Sequence, residues 1–372
     1  MKILLISDQK AKSDHSSVEG LFYNAINQLS DVNSDVVYFS DQLDKASWLK
    51  QNKIQVPKRT KHIKIIKCLS AIIDLNQYDF IVIRNYFSTL RQFLKVRKKF
   101  NFKVGFWESF PHNYRRYEEA KRFRKSLWRK SIEWYFKYKY QKSLINRSDF
   151  YLPISQQLQD DFYLNLTTAS YPLSLGVDVD ILPKTDKKVL DDSELTSFVY
   201  TGTIDQLRNF DIILDAFLNV KEAYKLFIYT ASNNDCVKEL QLRSQVDPRI
   251  HWCVPLKRDD LFNALIQSDI AVGIFPESKT YRSASPTKTI EYFGIGLPAL
   301  LNHIPEYDLL FNNTCAFFCE FNQQSIHKAI EKIVQLPKSQ LVEMGKKGRE
   351  IILEKRSYQT MAKSLIDFLQ SL

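Results

Sequence analysis

Cysteine, glycine and long apolar runs are scarce in this 372-residue chain, and each shortage closes a route. The five cysteines, Cys68, Cys236, Cys253, Cys315 and Cys319, are odd in number and mostly far apart. They do not read as a disulfide framework, and no second pair or histidine cluster beside Cys315 and Cys319 completes a zinc site. Free thiols in a reducing compartment, and no metal, are expected. Among the nine glycines, Gly294-Ile295-Gly296-Leu297-Pro298-Ala299 has the dinucleotide spacing. It ends a helical pattern and precedes a strand, the reverse of the required order, so it does not argue for a nicotinamide cofactor. No stretch approaches the roughly 18 apolar residues that cross a bilayer. The opening run 2–7 is too short for a signal-peptide core and has no small-residue cleavage site behind it. It is expected to be a buried first strand, and the protein to be cytoplasmic.

Charge is present but unevenly spread. Residues 1–172 hold 30 Lys+Arg against 16 Asp+Glu and residues 173–372 hold 23 against 26, which resolves the net +11 into +14 and −3. The basic half should meet something anionic. A nucleic-acid-binding protein is one reading of that charge, although no recognised nucleic-acid motif accompanies it.

Short apolar runs alternate with helical patterns in both halves. Strands are expected at 3–7, 35–39, 80–83, 102–107 and 150–154, with apolar residues at helical spacing over 21–29. A Pro-, Gly- and charge-rich stretch from Pro172 to about Leu195 reads as a linker. After it, strands are expected at 196–200, 226–229, 250–253, 270–274 and 299–301, separated by helices and followed by helices at 342–353 and 361–369. Such alternation indicates parallel βαβ units, hence two Rossmann-like α/β domains. Residues 1–172 form the first domain and 173–356 the second, with a terminal helix over 357–372 packing back on the first. Ligands of open α/β sheets bind beyond the carboxyl ends of the strands, so reactive residues belong in the loops there.

The loop after 270–274 ends in Ser285-Pro286-Thr287-Lys288, where a helix begins. Proline suits a first helical turn and Ser285 is a plausible N-cap. The amides at that end attract an anion such as a diphosphate. Lys288 adds a positive charge in the first turn, unfavourable for the helix dipole unless an anion offsets it. Glu291, one turn on, could accept two hydroxyl hydrogen bonds from a ribose diol. A solvated helix start with ordinary charges would look the same from these residues alone.

Ser285-Pro286-Thr287-Lys288, Glu291-Tyr292 and Gly296-Leu297-Pro298 together resemble the donor motif of glycosyltransferase family 4, of the GT-B fold. Tyr200-Thr201-Gly202-Thr203 with Arg208-Asn209, Ser268-Asp269-Ile270-Ala271-Val272 and Ser174-Leu175-Gly176-Val177-Asp178 resemble other parts of that family's second domain, in the right order. The resemblance covers most of 150–372 and more loosely the first half. It implies two domains facing an interdomain cleft, and a retaining, metal-independent glycosyltransferase. That enzyme would move a sugar from a nucleotide-sugar co-substrate, a UDP-sugar first of all, to a glycan or lipid-linked acceptor. Its setting would be bacterial surface polysaccharide or glycoconjugate synthesis. Arg208 and Lys288 would stabilise the leaving diphosphate, Glu291 would hold the ribose, and Gly202 and Thr203 would let the backbone approach the ligand. Leu256, in the loop 254–257, would meet the base. The family's glutamate seven residues before the one matched by Glu291 is replaced by Ser283, so Ser283, Ser285 and Pro286 are expected to contact the sugar. A nucleotide-sugar epimerase of the same fold would need acid/base groups near this loop, where only Glu277 stands before His303.

In the first half, Ser17 and Gly20 lie in a loop expected to face the cleft; the resembling family often has paired glycines there. Glu108 and His112 follow the strand 102–107, where one of them could position an acceptor hydroxyl or take its proton. The tract 115–142 interleaves Arg and Lys with aromatics. Two readings stay open: a solvated helix whose aromatics pack on the core, or contact with an anionic membrane surface, which would place the protein peripherally on the inner face of the plasma membrane.

Overall fold

The computed structural model describes residues 1–9, 17–123, 127–183 and 195–372. Asp14–Ser16 of the first loop, Arg124 and Lys125 of the basic tract and 184–194 of the linker lie outside them. The chain divides into two compact units: Met1–Asp178 with Ser283–Ser285 and Ser357–Leu372, and Val179–Arg282 with Pro286–Arg356.

The first unit is built on eight strands: β1 (Lys2–Ile6), β2 (Asn33–Ser40), β3 (Ser47–Lys50), β4 (Lys53–Pro57), β5 (Phe80–Arg84), β6 (Lys103–Glu108), β7 (Phe150–Pro153) and β8 (Ala169–Ser170). Their order is β3-β4-β2-β1-β5-β6-β7-β8, with only β3 antiparallel to its neighbour. Both faces are covered, so the central strands read as continuous apolar runs. Leu4 and Ile6 of β1 join one core with Leu90 and Phe93. Ile3 and Leu5 join another with Phe22 and the terminal helix residues Met361 and Leu365. That helix, Tyr358–Ser371, starts where Ser357 Oγ accepts from the Thr360 amide at 3.3 Å. The segment expected as an ordinary helix at 21–29 winds more widely, as a π-helix over Val18–Ala25 followed by a 3₁₀ turn, Ile26–Gln28.

The second unit has six parallel strands: β9 (Thr196–Thr201), β10 (Tyr224–Tyr229), β11 (Ile250–Cys253), β12 (Ile270–Gly273), β13 (Ala299–Asn302) and β14 (Ala316–Cys319). They are ordered β11-β10-β9-β12-β13-β14, so the chain reverses direction across the sheet between β9 and β12. In the first unit the reversal falls between β1 and β5. These are the switch points where open α/β sheets leave a crevice at the strand ends.

Candidate active site

In the second unit, the switch point collects several of the residues expected to bind the donor. The helix Thr287–Gly294 is anchored over it by two tyrosines. Tyr292 Oη lies 3.0 Å from the Thr201 amide, which donates to it, and Tyr307 Oη donates to the Gly273 carbonyl at 3.0 Å while meeting Thr289 Oγ1 at 2.6 Å. The helix is thereby tied to the ends of β9 and β12. Its N-cap is Pro286, which offers no capping side chain. The hydroxyl of Ser285, the expected cap, accepts from the Leu175 amide at 3.1 Å in the first unit. The first amides of a helix are the groups that attract anions.

Lys288 reaches back to the end of β9 and donates to the Thr201 carbonyl at 2.6 Å. Gly202 makes room for it, because a Cβ there would collide with Lys288 Nζ and Tyr200 Oη. Burial, and then the nearby Arg208 cation, push the Lys288 ammonium down to about 7, against a smaller opposing pull from Glu291. The Arg208 guanidinium sits 4.8 Å from both the Phe275 and Tyr281 ring centres, and its buried Nε has no hydrogen-bond partner among the described residues. Asp205 Oδ1 shapes the preceding turn by accepting from the Leu207 and Arg208 amides at 2.9 and 3.0 Å.

Glu291 accepts from Arg258 Nη2 at 2.8 Å, a partner the sequence analysis did not anticipate. Burial raises its carboxyl, with Arg258 and Lys288 pulling the other way. Lys288 and Glu291 border a cavity of about 370 Å³ with Thr201, Gly202, Thr203, Tyr229, Thr230, Ala231, Ser232, Pro255, Leu256 and Leu261. The strand-end loops of β9, β10 and β11 thus supply one wall and the helix the other. Of the expected donor residues, Gly202, Thr203, Leu256, Lys288 and Glu291 line this cavity; Arg208, Pro286 and Thr287 belong to the same unit without lining it. Ser283 and Ser285 group with the first unit, where Ser155 Oγ donates to the Ser283 carbonyl at 2.8 Å. Tyr229, Thr230 and Ser232 were missed, although their place directly after a strand was a usable signal.

The expected first-unit residues are placed differently. Glu108 is 5% exposed and turns inward: Tyr151 donates to one oxygen at 2.9 Å and Tyr163 to the other at 3.2 Å. Burial pushes its carboxyl up to about 7 against the pull of the two phenols. A carboxylate so enclosed is not presented by the loop, which corrects its expected acceptor-facing role. His112 opens the helix His112–Arg122 and is exposed. Ser17 and Gly20 are buried, and a Cβ on Gly20 would strike the Tyr358 ring of the terminal helix, so packing explains that glycine. The polar cluster at the first unit's switch point is one the sequence analysis missed. Arg84 pairs with Asp8, Asn85 Nδ2 donates to Asp8 Oδ2 and to Ser109 Oγ, both at 2.8 Å, and Asn85 holds a left-handed φ of 59°. An aspartate directly after the first strand was the available signal.

No protein-family model and no curated protein matches the sequence. Solved structures do. A sucrose-phosphate synthase from Thermosynechococcus elongatus aligns at a TM-score of 0.75 and 13% identity, over 100% of this chain and 98% of that one. Anabaena HepE, in complex with UDP and glucose, aligns at 0.71 and 13% identity over 100% of both chains. The lipopolysaccharide outer core galactosyltransferase WaaB aligns at 0.66 and 14% identity, over 100% of this chain and 99% of that one. This chain has the GT-B fold. The two parallel-sheet units match the GT-B architecture, and at such low identity the likeness carries the fold alone.

Proposed function

We propose that this GT-B protein is a retaining, metal-independent glycosyltransferase that moves a sugar from a nucleotide-sugar, foremost a UDP-sugar, to a glycan or lipid-linked acceptor. The observation that supports this most is the convergence of Gly202, Lys288 and Glu291 on one cavity at the second unit's switch point. The diphosphate would lie at the start of the helix Thr287–Gly294. There Lys288, protonated as the anion arrives, and Arg208 would neutralise the charge that develops as the sugar departs. Two fixed cations aimed at a leaving diphosphate take over the work of a metal ion. Glu291 would accept ribose hydroxyls while Arg258 holds it in place. HepE, of the same fold, holds UDP and glucose, which favours a UDP-sugar. WaaB, named for lipopolysaccharide outer core, favours a role in bacterial surface polysaccharide synthesis. The basic and aromatic tract 115–142 would hold the protein peripherally at the inner face of the plasma membrane, near a lipid-linked acceptor.

A thermal-shift screen of UDP, GDP, ADP and dTDP with their sugars tests the donor site, because a ligand that binds only the native state raises its apparent stability. At least one uridine ligand should stabilise the protein, and Lys288→Ala and Glu291→Ala should each remove most of the shift. No shift with any nucleotide at millimolar concentration would sink the proposal.

A further inference from the structure

A second cavity lies in the first unit, on the sheet face opposite the terminal helix. It measures about 480 Å³ and is rimmed by Lys64, Lys67, Arg91 and Lys95, with His62, over a lining that includes Ile66, Val96 and Tyr140. No carboxylate among the described residues lines it. Among the described residues none of those four cations forms an ion pair, in a unit where many other basic side chains do. Its walls are held in place by Gln92, whose amide donates to the Lys61 carbonyl at 3.0 Å and accepts from the Ile65 amide at 3.2 Å. Four uncompensated positive charges around an apolar floor match the phosphate and first carbons of an amphiphile.

Tyr140 connects this cavity to a second feature. The helix Leu127–Ile145 is apolar on two opposite sides. Trp134 and Tyr138 stack inward, the latter on Tyr163, while Leu144 and Ile145 enter the core. Trp128, Ile132, Phe136 and Tyr140, at intervals of four, face out with exposures of 69, 50, 66 and 44%. A helix with apolar stripes on two opposite sides needs cover on both. An aromatic and aliphatic stripe beside a cationic cavity fits a membrane interface carrying anionic lipid.

We propose that the cavity bounded by Lys64, Lys67, Arg91 and Lys95 seats the phosphate headgroup of an anionic membrane lipid, with the outward stripe of the helix Leu127–Ile145 lying in the adjoining interface. This deepens the membrane part of the proposed function and is independent of its donor chemistry, so UDP-sugar binding is measured alongside.

The test is flotation of the full chain with vesicles of phosphatidylglycerol and phosphatidylcholine, against phosphatidylcholine alone. Binding is expected only with the anionic lipid. At about a fivefold contribution per cation near such a surface, Arg91→Gln with Lys95→Gln should lower partitioning by roughly 25-fold. Lys64→Gln with Lys67→Gln should do likewise. Lys50→Gln with Lys363→Gln removes the same charge from exposed positions, beside Tyr23 and on the terminal helix, on the other sheet face, and should leave binding near that of the unchanged protein. Equal losses in all three pairs would reduce the cavity to diffuse charge and overturn the proposal. Two further results would overturn it: displacement by millimolar inorganic phosphate at constant ionic strength, which would assign a free-phosphate site, and a lipid-independent dimer abolished by Phe136→Ser. Loss of vesicle binding with nucleotide binding retained would uphold the lipid site; loss of nucleotide binding alone would strike only the donor reading.

Discussion

Donor binding should weaken as pH rises, for a reason visible in one side chain. Lys288 is buried beside Arg208, and its ammonium loses its proton near pH 7 in the empty protein. A diphosphate binds the charged form, so above that pH each binding event must first take up a proton. Affinity therefore falls about tenfold per pH unit above about 7, and between pH 6 and 8.5 the loss is roughly 30-fold, or about 2 kcal/mol. UDP-glucose is the suitable probe because its two phosphates keep the same charge across this range. Titration calorimetry in HEPES and in Tris, which differ in ionisation heat, should show about one proton taken up per ligand at pH 8.5 and almost none at pH 6. Lys288→Arg keeps its charge throughout and should bind without that slope. The sign for folding is opposite. The unfolded chain holds the Lys288 proton up to its ordinary 10.5, so the empty fold gains stability as pH rises from about 7 to that value. Lys288→Met should accordingly raise the melting temperature of the empty protein at pH 6 while weakening UDP-glucose binding. A flat affinity profile in the unchanged protein, or the same slope in Lys288→Arg, would refute the reasoning.

Glu108 makes a separate titration. Its carboxyl is raised from 4.5 to about 7, so its share of stability is complete below pH 4.5 and is lost as pH climbs through 7. Glu108→Gln should remove that slope and gain up to about 3 kcal/mol relative to the unchanged protein at pH 8.5, read from urea unfolding at pH 5 and 8.5. Gly20→Ala should cost about 1–3 kcal/mol, because its methyl group meets the Tyr358 ring; an unchanged melting temperature would show that the terminal helix can yield.

Much of the architecture was legible in the chain because it is written in local periodicity. The run Phe80-Ile81-Val82-Ile83 becomes a strand at nearly its expected bounds, since an apolar run buried on both faces needs no distant partner to be recognised, and Ile250–Cys253 does so as a partly buried edge strand. The missed strands lack that signature. β3 is exposed and β4 is interrupted by Gln55, so pairing makes them strands, β4 on β2 and β3 on β4; β8 has two residues. Gly202, Lys288 and Glu291 were readable because a helix start and a strand-end glycine are local features. Arg258 was not, as nothing in its own neighbourhood indicates that it reaches Glu291, 33 positions on.

The amino-acid order by itself determined the two α/β halves, the basic first half and the segment around Lys288, all of them properties of composition or short-range spacing. Only the tertiary structure decided that Ser285 meets the Leu175 amide, that Glu108 turns between two tyrosines, and that the Lys288 ammonium titrates near 7. Hydrogen-bond partners and desolvation are set by chain segments that arrive from far away in the sequence. A charge's chemistry can therefore be located from its neighbours in the chain, but its strength is settled by its neighbours in space.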